Sequence, residues 1–215
     1  MSRFVKLLFL SALALVSCGQ DEISLPDAGG GSTSLCGDWY PGATADGGAF
    51  DFAEGGTLAC HVWDSVRRDG NDGYLHLGDL YLAAAHGEVS YRSVVFVFSA
   101  RNCPTCHELI SALAERKSDL EAANGLFVGV ARTDLLDPGS RLDLATAETV
   151  LLDEDGWPAS WMLTNDAEDH FPTTVDEFTP WVAVVRLSDM RIQVLSNERF
   201  AADNLDELAS LLASY

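Results

Sequence analysis

Apolar residues along this chain fall into short blocks with two different periods. Ser93-Val94-Val95-Phe96-Val97-Phe98 and Leu126-Phe127-Val128-Gly129-Val130-Ala131 are nearly unbroken apolar runs, rich in β-branched and aromatic residues. Such runs predict strands buried on both faces. Between them Leu109, Ile110, Leu113 and Leu120 recur at helical spacing, with Glu108, Glu115, Arg116 and Lys117 elsewhere. One helix is therefore predicted from Pro104, which suits a first turn, to a stop at Asn124-Gly125. A strand, a helix and a strand of these lengths make a right-handed βαβ unit. Further on, residues 142–152 predict a second helix, stopped by Asp155-Gly156 and Pro158, and residues 160–164 a short strand. Residues 181–187 and 191–195 predict a hairpin turned at Ser188-Asp189-Met190. A closing helix carries Leu205, Leu208, Leu211 and Leu212 behind Asn204 and Glu207, which stand at capping-box spacing. Upstream, Gly56-Thr57-Leu58 with His61-Val62-Trp63, then Tyr74-Leu75-His76-Leu77, predict another hairpin around the turn-rich residues 68–73. The order ββ, βαβ, α, ββα predicts an α/β fold, with a mixed central sheet flanked by helices and an N-terminal β-hairpin extension.

Composition narrows the partners. Hydrophobic residues make up 47% of the 215, enough for a buried core, while 13 Lys+Arg stand against 33 Asp+Glu, a formal charge of −20. That acidity excludes nucleic acid, because phosphate binding needs clustered cations, and it opposes adhesion of the folded part to anionic lipid.

The first residues have a separate purpose. Arg3 and Lys6 precede an apolar run from residue 7 to residue 16, too short to span a bilayer but of secretory length. It ends Leu15-Val16-Ser17-Cys18, which resembles the lipobox of bacterial lipoproteins. The resemblance implies a signal peptide at residues 1–17, cleavage before Cys18 and acylation of that cysteine, which anchors the chain outside the cytoplasm. Gly19, not Asp, follows, which favours the outer membrane facing the periplasm. Loss of Arg3 and Lys6 would leave 11 basic against 33 acidic residues, a formal −22. Residues 18–35 comprise Cys18 and a flexible tether, whose polar, Gly-rich stretch over 19–34 reaches about 55 Å when extended. The domain is expected over residues 36–215.

Cys103-Pro104-Thr105-Cys106 follows a buried strand and opens a helix. A helix N-terminus favours a thiolate on the first cysteine, and the spacing lets the second reach its sulfur. Here the sequence resembles the thioredoxin superfamily, closest to its extracytoplasmic redoxin and thiol–disulfide oxidoreductase branch. The resemblance covers roughly Leu58 to the C-terminus and includes Thr179-Pro180 before the hairpin and the final helix. It implies a redox-active disulfide between Cys103 and Cys106. It also implies a cis-proline at Pro180, with Thr179 and Trp181 beside it meeting the substrate; Phe171-Pro172-Thr173 is the competitor for that role. Three departures stand out. Asn102 replaces the usual tryptophan, the inner dipeptide is Pro-Thr, and Val97 occupies the place of a buried aspartate that accepts the resolving thiol's proton. Direction, reductase or oxidase, is left open.

Other readings compete for the same residues. With His107 the motif becomes Cys-x-x-Cys-His, the attachment signature of haem c. Zinc or copper held by Cys103, Cys106 and His107, or by His170, lacks a second ligand pair at metal spacing, so no metal is expected. A peroxiredoxin needs a threonine three residues before its reactive cysteine, where this chain has Ala100. The remaining pair, Cys36 and Cys60, is expected to form a structural disulfide in an oxidising compartment. His61, His76 and His86 fit packing or surface positions. Trp39, Trp63, Trp157 and Trp161 fit the core or groove, and Asp153-Glu154-Asp155-Gly156 fits a solvated turn. The expectation is a lipid-anchored thiol–disulfide oxidoreductase acting on exported proteins, without a cofactor, supplied with electrons by a membrane thiol donor if it reduces. The alternatives are a c-type haem protein and a binding protein of the same fold without turnover.

Overall fold

The structure, a computed structural model, describes residues 36, 39–41, 52–172 and 179–215. The signal, Cys18, the tether and Thr173 lie outside the described residues. Among the described residues eight strands form one sheet: β1 (Val62–Arg68), β2 (Asn71–His76), β3 (Ser93–Arg101), β4 (Gly125–Asp134), β5 (Asp137–Arg141), β6 (Met162–Thr164), β7 (Trp181–Arg186) and β8 (Arg191–Ser196). Their spatial order is β2-β1-β6-β4-β3-β7-β8, with β5 paired to β4. β3 runs parallel to β4, and β4 parallel to β6, whereas β7 lies antiparallel to β3 and β8 antiparallel to β7. The sheet is mixed, and its centre is the pair of apolar runs.

β3 shows why those runs do not alternate. Val95 and Val97 face Leu109, Ile110 and Leu113 of α2 (Pro104–Glu115), Leu120 of α3 (Lys117–Ala122) and the leucines of the C-terminal helix. Val94, Phe96 and Phe98 face the opposite core with Trp63, Phe171 and the helix α1 (Leu77–His86). Both faces are covered, so both must be apolar. Among the described residues the remaining helices are α4 (Leu144–Glu148), which runs on into a π-helical segment over Thr149–Glu154, and α5 (Leu205–Ala213). Gly129 in β4 is required by packing, because a Cβ there would lie 2.9 Å from Trp157 Cε2 and 3.2 Å from Leu151 Cδ1.

Several elements differ from the sequence reading. Leu77 does not extend a strand but opens α1, capped by His76, whose Nδ1 accepts from the Asp79 N–H at 3.0 Å. The helix expected over residues 104–124 is two helices. The chain breaks at Arg116, whose guanidinium reaches Asp119 at 3.1 Å and Asp206 at 2.8 Å. Asn204 and Glu207 form no capping box. Asn204 Nδ2 instead donates to Glu207 Oε2 at 3.1 Å and the Arg199 carbonyl at 3.3 Å. The acidic stretch 153–156 is not a solvated turn throughout, since Asp155 is only 5% exposed.

Two polar features brace the α1 side. Arg132 and Asp166 form a buried pair at 3.3 Å, and Asp166 also accepts from Trp63 Nε1 at 2.7 Å and from the His170 and Phe171 N–H groups. These bonds partly offset the desolvation of Asp166, whose burial still holds its carboxyl above the ordinary aspartate range. At the start of the domain Cys36 is joined to Cys60 by a disulfide, with Cα atoms 6.1 Å apart. The His76 ring lies within 4.8 Å of these sulfurs. No helix among the described residues is long and apolar enough to cross a membrane.

Candidate functional site

β3 delivers the chain to the site and Asn102 turns it. Asn102 adopts a left-handed φ of 60°, a conformation asparagine tolerates better than other residues with a Cβ. Its Nδ2 donates to Asp134 Oδ1 at 2.7 Å, and the Leu136 N–H donates to the same oxygen at 2.9 Å. These bonds hold the Asp134 carboxyl below the ordinary aspartate range. Together with the Leu135 N–H on the Arg101 carbonyl, at 3.0 Å, they fix the turn against the end of β4. The residue before the first cysteine is thus a hydrogen-bonded latch.

Cys103 then caps α2. Its Sγ accepts from the Cys106 N–H at 3.2 Å, and Pro104 fills the first helical position, where no N–H is needed. Cys103 and Cys106 are disulfide-bonded, with Cα atoms 5.2 Å apart. Cys103 is 6% exposed and Cys106 fully buried, so only the first sulfur has an edge towards solvent. The Cys106 N–H of the first turn points at that sulfur, and the positive end of the helix dipole at this place is the electrostatic arrangement that stabilises a thiolate.

Thr179 and Pro180 close the site from β7. Their peptide bond is cis, whereas no other cis bond occurs among the described residues, Phe171-Pro172 included. The Thr179 carbonyl lies 4.0 Å from Cys103 Sγ, and Thr179 Oγ1 lies 3.8 Å from it. Beside the disulfide opens a cleft of about 520 Å³, walled by Thr105 and Glu108 of α2, by Thr179 and Pro180, and by Asn197 and Phe200 after β8. The structure thus brings Cys103, Cys106, Thr179 and Pro180 together. It places Trp181 elsewhere. Successive strand side chains alternate, and Trp181, paired with Phe98, packs partly buried on the α1 side. His170 is also remote in its contacts, stacked on His61 with its Nε2 2.7 Å from the Val62 carbonyl.

Asp155 is a member of this neighbourhood that the sequence pattern does not reveal. Ser99 Oγ donates to its Oδ2 at 2.9 Å, and His107 Nδ1 lies 3.8 Å from its Oδ1. Burial raises its pKa to about 6, partly opposed by the Ser99 hydrogen bond and the charge of His107, while Glu154 adds to the rise. The π-helical segment sets its place, with the Asp155 N–H bonded to the Val150 carbonyl at 2.9 Å. A carboxyl in Asp155-Gly156 reads as a turn in sequence, and a π-turn that carries it inward leaves no periodic signal.

No protein-family model matches this sequence, and no curated protein does. Solved structures do. The chain is similar to thioredoxin peroxidase I of Plasmodium yoelii, at 15% identity over 75% of this chain and 90% of that one, with a TM-score of 0.53. It is similar to the reduced 2-Cys peroxiredoxin of Plasmodium vivax, at 13% identity over 75% and 94%, with a TM-score of 0.50. The thioredoxin domain of a thiol–disulfide oxidoreductase from Bacteroides vulgatus also matches, at 14% identity over 74% and 98%, with a TM-score of 0.49. The fold is thioredoxin-like.

Proposed function

We propose that this chain is a thiol–disulfide oxidoreductase, anchored by lipid on Cys18 outside the cytoplasm, that exchanges disulfides with exported proteins through Cys103 and Cys106. One observation carries the reading: a Cys103–Cys106 disulfide across the first turn of α2, beside a cis Thr179–Pro180 bond that itself walls an open cleft. In the reducing direction the Cys103 thiolate attacks a partner disulfide and forms a mixed disulfide. Cys106 then attacks Cys103 Sγ, the bond to the partner breaks, and the partner leaves reduced. Thr179 offers its backbone to an extended partner chain in the cleft. A membrane thiol donor would restore the dithiol. The difference in exposure supports these roles, because an attacking sulfur must be reached from outside and a resolving one need not be.

The haem reading has less in its favour. Thioether bonds to a macrocycle need both thiols free, and here the two sulfurs are bonded to each other. The peroxidase reading lacks the threonine at Ala100. Insulin reduction in the presence of dithiothreitol tests the proposal. The wild-type protein should accelerate precipitation of the insulin B chain, and Cys103→Ser should reduce the rate to the uncatalysed level. Equal rates for the two proteins would reject it.

A further inference from the structure

Two aspartates are buried among the described residues, and they differ in what answers their charge. Asp166 has Arg132 at 3.3 Å and three N–H donors, including the Trp63 indole. Asp155, only 5% exposed, has neither arginine nor lysine in contact among the described residues; its partners are the Ser99 hydroxyl and, at 3.8 Å, His107 Nδ1. An ionisable group kept in the core without a counter-ion costs stability, so its position invites a chemical reason.

That position is specific. Ser99 lies on β3 four residues before Cys103, His107 follows Cys106 directly, and Ser111 Oγ donates to the Asp155 carbonyl at 3.4 Å from the next turn of α2. Asp155 is therefore held by the strand that leads into the redox turn and by the helix that leads out of it. The same turn contains a chemical need. Cys106 must become a thiolate to resolve a mixed disulfide, yet it is fully buried, so bulk water cannot collect its proton. β3 carries Val97, not an acid, one position below Ser99 on that face.

We propose that Asp155 is the proton acceptor for the Cys106 thiol, aimed by Ser99 and linked to solvent by His107. This inference rests on the oxidoreductase reading above. In the resolving step the Cys106 S–H proton passes to the Asp155 carboxylate. The Cys106 thiolate attacks Cys103 Sγ, the Cys103–Cys106 bond forms, and the bond to the partner sulfur breaks. The partner sulfur leaves as a thiolate with the electron pair, so the partner is reduced and the dithiol oxidised. The Asp155 proton then passes to the departing thiolate through the His107 ring, which is 55% exposed. A carboxyl titrating near pH 6 is ionised at neutral pH and still basic enough to accept this proton. The charged groups around it are His107 on α2, Glu154 beside it in the chain, and Arg101 at the end of β3, which faces Glu154 at 3.8 Å.

Oxidised glutathione separates the two steps. The reduced protein is mixed with it, the reaction is quenched with acid, and the glutathionylated intermediate is followed by intact mass from pH 5 to 8. In Asp155→Asn the adduct on Cys103 should form at the wild-type rate and decay on the order of 100-fold more slowly at pH 7. Its decay should also lose the inflection near pH 6. Adduct decay in the variant that matches wild type in rate and pH profile overturns the inference. A wild-type protein that forms no adduct defeats the oxidoreductase reading instead, so the two failures are distinct. Should the variant not fold, carbon-13 NMR of aspartate-labelled wild type decides the matter. The Asp155 carboxyl should titrate at a different pH in the reduced and oxidised proteins, and an identical titration in both overturns the inference.

Discussion

At the residue scale, the site combines one cysteine that is 6% exposed, one that is fully buried and one buried carboxyl with neither arginine nor lysine in contact among the described residues. Asp155 has a folded pKa of about 6 against an ordinary 3.8, and for an acid that sign is destabilising. The penalty is absent below about pH 4, grows as pH rises towards 6 and is complete above it. A rise of that size corresponds to about 3 kcal/mol. Asp155→Asn should therefore stabilise the protein at pH 7 by up to about 3 kcal/mol, with the gain vanishing near pH 4, as read from urea denaturation at both values. A stability cost of this kind is the trade-off expected of a residue with the proposed proton-accepting role. Cys103 and Cys106 were legible in the sequence because a strand end and a helix start each leave a local pattern, whereas Pro180 was reached through the family resemblance. Asp155 was not, because its burial comes from a π-turn that no periodicity announces.

At the element scale, what the sequence revealed followed the strength of the local signal. β3 and β4 stood out because a strand covered on both faces has no polar alternation to confuse it. α1 was hidden because its cap is a histidine, not Ser, Thr, Asp or Asn, and because Tyr74-Leu75-His76-Leu77 reads as strand. The Leu77, Leu80, Tyr81 and Ala84 spacing, ended by Gly87 at φ 72°, was the signal that could have found it. The break at Arg116 depends on a partner, Asp206, 90 residues away, which no local pattern carries. Packing at the sheet centre is similarly non-local and gives a sharp test. Gly129→Ala must displace the Trp157 ring or shift β4, costing on the order of 2 kcal/mol, seen as a lower urea midpoint with the far-UV spectrum kept.

At the scale of the whole molecule, two disulfides have opposite expected behaviour. The Cys36–Cys60 bond spans 24 residues and ties the first described residue to the approach of β1. Loop entropy assigns it about 3 kcal/mol, so Cys60→Ser should lower unfolding stability by that order while insulin reduction per folded molecule is retained. The charge of −20 has a different consequence. A domain this acidic is repelled by anionic headgroups, so the protein lacking Cys18 should not sediment with anionic vesicles at low salt. Substantial sedimentation would contradict this expectation.

The central claim, that Cys103 attacks and Cys106 resolves, is tested most directly by trapping the intermediate. Reduced Cys106→Ser is incubated with a disulfide-bonded protein, alkylated, and analysed by intact mass and peptide mapping. A covalent adduct on Cys103 that dithiothreitol releases, present in Cys106→Ser and absent from Cys103→Ser, is the predicted result. No adduct in Cys106→Ser, or an equal adduct in Cys103→Ser, would contradict it.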